Sequence, residues 1–209
     1  MAEKKWTFNY KKEYKDLYMP KKSPSIVKVP LMNYIAVCGK GSPDAEDGEY
    51  KESVRLLYGI AFTIKMSKKY DHQIAGYFDY VIPPQESLWM RENDYSRQED
   101  FHFISMIRLP YFVTKDDIDW AREAVARKKK SDFSKVEFFT YNEGLCVQCM
   151  HLGSYENKQE TIRSMHDFMT AQGYKLDITD TRFHHEIYLS NPGRVAAEKR
   201  KTVIRHPLI

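Results

Sequence analysis

Two distant stretches of the chain each run from an apolar strand into a glycine-serine turn. Tyr34-Ile35-Ala36-Val37-Cys38-Gly39-Lys40-Gly41-Ser42 is echoed by Leu145-Cys146-Val147-Gln148-Cys149-Met150-His151-Leu152-Gly153-Ser154. A segment of helical periodicity follows each, and then further strand. This order predicts a degenerate internal repeat of strand, helix, strand, strand. Two such modules would merge their sheets, with helices covering one face. The other face would form a concave groove along the pseudo-twofold seam, a place where small molecules tend to bind. The predicted fold class is therefore α+β: duplicated strand-helix-strand-strand modules forming a pseudo-twofold antiparallel sheet, helices on one face and a ligand groove on the other.

The periodicities fill in this outline. A strand is predicted over 26–37 and a helix over 49–65, with Val54, Leu57, Tyr58, Ala61 and Ile64 on one stripe. Strand-like runs follow at 73–82 and 101–109, separated by a polar stretch that contains Leu88-Trp89-Met90. Thr114 is a good N-cap for a second helix, with Asp116 and Asp117 in its first turn. Strands at 135–140 and 144–152 are joined by the turn-like phrase Tyr141-Asn142-Glu143-Gly144, where Glu143 reads as solvated. A third helix spans 156–172 and stops at Gly173. The domain organisation expected is an N-terminal arm, 1–24, packing through Trp6, Phe8 and Tyr10. A single domain, 25–209, follows, made of repeats at about 25–110 and 111–209.

Bulk properties exclude several classes. The net charge of +4 is small and the two signs are interspersed, so nothing calls for direct contact with nucleic acid. The first 24 residues are too short for a helix-turn-helix. No apolar run has transmembrane length and no signal core opens the chain, so no membrane association is predicted and the expected location is cytoplasmic. Three cysteines fit reduced thiols there. Cys146 and Cys149 have a Cys-x-x-Cys spacing, but residues three apart on a strand face opposite sides, so no metal site is expected. Gly39-Lys40-Gly41-Ser42 lacks the spacing of a phosphate loop. No cofactor is implied. Fifteen Tyr and eleven Phe supply flat contact surfaces suited to aromatic ligands.

The chemistry concentrates in Phe183-His184-His185-Glu186-Ile187-Tyr188-Leu189-Ser190-Asn191-Pro192, a predicted strand ended by Asn-Pro. Alternation puts Phe183, His185, Ile187 and Leu189 on a core-like face and His184, Glu186 and Tyr188 on the other. His185 reads as a satisfied core or interface histidine. A carboxylate between an imidazole and a phenol can bind a cation or move a proton. In an apolar setting it needs a partner, a bound cation, or a proton held by a raised pKa.

Five phrases carry a family resemblance: Gln85-Glu86-Ser87-Leu88-Trp89-Met90, His102-Phe103-Ile104-Ser105-Met106-Ile107-Arg108, Met150-His151-Leu152-Gly153-Ser154-Tyr155, His185 through Pro192, and Lys201-Thr202-Val203-Ile204-Arg205-His206-Pro207. In this order the chain resembles the GyrI-like small-molecule-binding proteins, in their stand-alone branch, from about Ser25 onward. The chain has Gly-Ser-Tyr where the family often has Gly-Pro-Tyr. The resemblance implies a duplicated fold with a central groove. It implies kinship with the drug-sensing halves of multidrug-responsive regulators, with a gyrase inhibitor, and with hydrolases that open the cyclopropane of genotoxic natural products. In the sensors a buried glutamate among aromatics binds flat cationic drugs, and Glu186 matches that position by motif. Trp89, Tyr155 and Tyr188 fall in motifs that line the groove.

The function expected is binding of flat aromatic or cationic small molecules around Glu186, with Trp89, Tyr155, Tyr188 and His184 as further ligand contacts. Hydrolysis of cyclopropanoid genotoxins would use Glu186 to direct water and Tyr155 or Tyr188 to polarise a carbonyl. Enzyme and binder share the same residues, so that choice stays open. The alternative is a non-enzymatic partner-binding or regulatory module of the gyrase-inhibitor type, its protein partner unknown.

Overall fold

The computed structural model describes residues 6–43, 45–70, 72–91, 101–129 and 131–209. The first residues of the predicted arm (1–5) and part of the predicted polar stretch (92–100) lie outside these. Two short helices, α1 (Tyr10–Glu13) and α2 (Lys15–Tyr18), open the described chain. Then come β1 (Ser25–Lys40), α3 (Glu49–Lys65), β2 (Gln85–Arg91), β3 (Phe101–Arg108), α4 (Lys115–Lys129), β4 (Glu137–Leu152), α5 (Lys158–Ala171), β5 (His184–Tyr188) and β6 (Lys201–Pro207). A 3₁₀ turn, Tyr155–Asn157, precedes α5.

All six strands are antiparallel and close into a barrel in the order β1-β3-β2-β5-β6-β4. β1 and β4, 16 residues each, pair in one unbroken register from Ser25–Gln148 to Ala36–Glu137. That register skips only Pro30 opposite Glu143, where proline has no N–H to donate. Hairpin β2–β3 hangs from β1 and pair β5–β6 hangs from β4; the ring closes where β2 meets β5.

Four expectations need correction. The sheet closes rather than lying open. The two strands expected at 135–140 and 144–152 are one, because Gly144, at φ 72°, bends the chain without ending the ladder. Arg182 clamps this bend: its Nη2 donates to the carbonyls of Glu143 and Leu145, at 2.9 and 3.0 Å. No strand forms over 73–82, where only Tyr80 bridges to Phe8. The aromatics there serve packing instead: Phe78 lies against Trp6, Phe8 and Phe112. The second strand of the first half is β2, inside the stretch read as polar.

Outside the ring, α3 lies on β1 and β3, and α5 lies on β4, reaching Ile204 of β6. Leu56, Leu57, Ile60 and Ile64 of α3 join the main core; Met165 and Met169 of α5 form a second core with Val147, Cys149 and Ile204. Cys146 belongs to the first core and Cys149 to the second, as strand alternation requires. Thr114 and Asp117 cap α4 reciprocally, Thr114 N donating to Asp117 Oδ2 at 2.8 Å and Asp117 N to Thr114 Oγ1 at 3.3 Å.

The barrel interior is too narrow for more than side chains. Its lower part holds charges rather than hydrocarbon. Glu143, expected to be solvated, is buried: Arg205 Nη1 donates to its Oε2 at 2.7 Å and His185 Nδ1 lies 3.0 Å from its Oε1. His185 Nε2 is also 3.0 Å from Glu86 Oε2. Residues 16–18 seal this network. Arg205 Nη2 donates to the Leu17 carbonyl (2.8 Å), Gln148 Nε2 to the Asp16 carbonyl (2.6 Å), and the Tyr18 hydroxyl to Glu86 (3.0 Å). Two carboxylates thus face an arginine and a histidine, and buried charges persist only when paired in this way.

Candidate functional site

The helices and the hollow share the outer side of the sheet; the inner side is filled. α3 and α5 straddle the β2–β5 seam and leave a cleft of about 2120 Å³ between them. The expected opposition of helices and groove is therefore reversed, and the reason is closure: a ring leaves no second open face.

The floor is set by register. Ser87 pairs with Glu186, Trp89 with His184 and Gln85 with Tyr188, so these six side chains point outward together. α3 contributes Tyr50, Val54 and Tyr58 to one wall; α5 contributes Lys158, Ile162 and His166 to the other. All five residues singled out from the sequence, Glu186, Tyr188, Tyr155, Trp89 and His184, line this one cleft.

Glu186 is 2% exposed, and its Oε1 accepts from Lys158 Nζ at 2.5 Å and from His184 Nε2 at 2.8 Å. Oε2 has no hydrogen-bond partner among the described residues. Burial pushes the carboxyl pKa up, but the hydrogen bond from His184 and the Lys158 charge outweigh it and hold the group well below the usual range. The raised pKa considered from the sequence is thus absent. Glu186 is a fixed anion, able to orient water or a donor but ill suited to giving or taking a proton at neutral pH.

His184 starts a chain of imidazoles. Its Nδ1 is 2.6 Å from His206 Nε2, and His206 Nδ1 is 2.9 Å from His166 Nε2. One neutral tautomer set satisfies every contact: each ring carries its proton on Nε2 and donates toward Glu186. Burial first, then His184 and His166, pushes the His206 pKa down to about 2, so the middle ring stays neutral. The nitrogens run in a line and do not converge; among the described residues no group of three or more His, Cys, Asp or Glu could hold a metal ion.

The aromatic half is equally linked. Trp89 Nε1 donates to the Tyr188 hydroxyl at 3.1 Å, and Trp89 stacks on Tyr50 with ring centres 5.2 Å apart. Tyr50 in turn lies 3.1 Å from Ser87 Oγ. Burial, helped by Glu186, keeps the Tyr188 phenol protonated well beyond its normal range. Tyr155 meets Tyr188 edge-on at 5.8 Å, and Lys158 and Arg200 lie over its ring.

A conserved-domain model described as the GyrI-like small molecule binding domain matches residues 22–209. The chain belongs to the GyrI-like family. Solved GyrI-like relatives are close. An uncharacterized conserved protein from Listeria innocua is 42% identical with a TM-score of 0.92, covering 97% of this chain and 100% of that one. A protein described as a hydrolase from Listeria innocua is 41% identical with a TM-score of 0.89, at the same coverage. The C-terminal domain of EcmrR, 11% identical with a TM-score of 0.53 over 90% of this chain and 97% of that one, shares the fold alone. No curated protein matches. No described helix is long and apolar enough to cross a membrane.

Sequence reasoning missed Lys158, Tyr50, His206 and His166. Lys158 and Tyr50 sit in first helical turns among other polar residues, with no signal of their own. His206 could have been found: pairing the strand 201–206 beside the Glu186 strand, by alternation, brings an outward His206 toward His184.

Proposed function

We propose that this GyrI-like protein binds flat aromatic small molecules in the cleft over the β2–β5 seam. The observation that carries this reading is the buried, ionised Glu186 at the floor of a cleft walled by Trp89, Tyr50, Tyr155 and Tyr188. Stacking surfaces and one fixed anion suit a planar molecule carrying a polar edge.

The finer reading is hydrolysis of cyclopropanoid genotoxins. Glu186 Oε2 would orient a water toward the strained ring carbon. The water oxygen bonds to that carbon as the ring C–C bond breaks. The electron pair passes through the conjugated system to the carbonyl oxygen, which Tyr155 or Tyr188 polarises. That oxygen takes a proton from solvent, and the attacking water, keeping one hydrogen, gives up the other to solvent. The description of a 41% identical relative as a hydrolase supports this choice over a purely partner-binding role. Glu186→Gln should slow ring opening of a spirocyclopropyl dienone by about 10²-fold or more, followed by product chromatography. An unchanged rate would remove Glu186 from the reaction.

The element order β1-α3-β2-β3, then α4, then β4-α5-β5-β6 supports reading 25–110 and 111–209 as duplicated modules, α4 being an addition to the second, with 1–24 as an arm. A superposition of the halves that fails to bring these elements together strand for strand overturns that reading.

A further inference from the structure

In the cleft the Glu186 carboxylate already has a cation. We propose that Lys158 is the residue that sets ligand charge: its ammonium fills the cation position beside Glu186, so the cleft takes neutral planar molecules with a hydrogen-bond acceptor, such as a carbonyl, and rejects cations. The proposal deepens the binding reading above and rests on it.

Three observations carry it. Lys158 Nζ lies 2.5 Å from Glu186 Oε1, and its side chain is only 24% exposed, so the charge is held inside the cleft wall rather than in water. Lys158 is also the first residue of α5. A positive charge there opposes the helix dipole, whose N-terminal end is itself positive. Helix formation therefore gives no reason for a lysine at this position, while Glu186 does. Finally, the rest of the lining does not restore a negative field. Beyond that pair, four lysines or arginines and three carboxylates surround the cleft. The ammonium and the Arg200 guanidinium both approach the Tyr155 ring, at 5.4 and 5.5 Å, so that aromatic face already has two cationic neighbours.

A ligand cation entering beside Glu186 would meet Lys158 at close range, or would have to break its ion pair with Glu186 and expel it. A ligand carbonyl meets no such opposition. It can accept from Lys158, whose ammonium has three donors, while Oε1 uses one. Oε2, buried and without a hydrogen-bond partner among the described residues, keeps the negative pole in the floor beneath. The pair then works as one dipole, with its positive pole offered to the planar edge.

The test uses two tricycles of the same skeleton, 10-methylacridone, which is neutral and bears a carbonyl, and 10-methylacridinium, which is cationic. Binding is followed by the anisotropy of their own fluorescence. The wild-type protein should bind the acridone at least ~10-fold more tightly than the acridinium, as one like charge at contact distance implies. Lys158→Met should reverse the order, gaining for the cation and losing for the ketone; Lys158→Arg should keep the wild-type order. If Lys158→Met leaves too little folded protein, the double variant Lys158→Met with Glu186→Gln removes both charges and should bind the two probes within about twofold. Acridinium bound equally by wild type and Lys158→Met, or a double variant that keeps the wild-type preference, overturns the role of Lys158 while leaving the cleft as a binding site. Neither probe binding to any of the proteins overturns the binding reading, and this inference with it.

Discussion

His185 and Glu186 are chain neighbours with opposite surroundings. His185 sits in the barrel interior between Glu143 and Glu86, while Glu186 faces the outer cleft. Burial lowers the His185 pKa, but Glu143 and Glu86 outweigh it and raise it to about 9. A group raised on folding adds stability that is fully present below its unfolded pKa and lost as pH rises through the folded one. Glu143 is the mirror case: burial raises it, but Arg205 and His185 bring it down to about 2, so its contribution disappears as pH falls through that value from its unfolded range. The urea midpoint should therefore be highest near pH 5 to 6 and decline toward pH 9 as His185 loses its proton. His185→Gln should flatten the alkaline decline; an unchanged slope in that variant would mean that other groups cause it. Neither partner was visible in the chain itself. Alternation was enough to turn His185 inward, but Asn-Glu-Gly reads locally as a turn. What buries Glu143 is Arg205, 62 residues away, and no local pattern encodes that meeting.

At the level of elements, α3 shows how closely the layers fit. Its bounds coincide with those predicted, but the predicted stripe is only partly core: Leu57, Ala61 and Ile64 are buried, Val54 and Tyr58 line the cleft, and Leu56 and Ile60 pack in their place. One contact was not legible. A Cβ on Gly59 would lie 2.6 Å from Phe133 Cε1, and Phe133 is buried. Alanine at this position gains about 1 kcal/mol of helix propensity. Forcing a methyl against a held ring costs about 1–3 kcal/mol. Gly59→Ala should thus be net destabilising by about 1 kcal/mol in urea denaturation, and a rise in stability would show that Phe133 can move aside. β2 was hidden for a different reason. Gln85, Glu86, Ser87 and Arg91 make it look like a surface loop by composition. It is a strand because each side is occupied: Ser87 and Trp89 lie on the cleft floor, Glu86 and Leu88 face the barrel interior. The run at 73–82 is the converse, rich in strand-forming aromatics that are spent on packing the N-terminal arm.

For the molecule as a whole, closure of the sheet decides where everything else can go. Sequence periodicity supplied α3, α4, α5, β1, β3 and β5, but neither β2 nor the β2–β5 contact that shuts the ring, since that pairing joins segments almost a hundred residues apart. Once shut, the ring needs a plug, and the arm supplies it. Deleting residues 1–22 would strip the Leu17 and Asp16 carbonyls and the Tyr18 hydroxyl from Arg205, Gln148 and Glu86. Hydrogen bonds to charged groups contribute about 1.5–3 kcal/mol each. The truncated chain should lose at least about 3 kcal/mol in urea denaturation and bind a hydrophobic dye; an unchanged midpoint would mean that the barrel holds its charges without the arm. The thinness of the wall has a last consequence. A single ply of backbone separates the interior ion cluster from the cleft, and odd and even positions of β5 serve opposite sides. Inserting or deleting one residue in that short segment would turn the protein's chemistry inside out, presenting His185 to incoming molecules and pressing the acid of the cleft into the plugged bore.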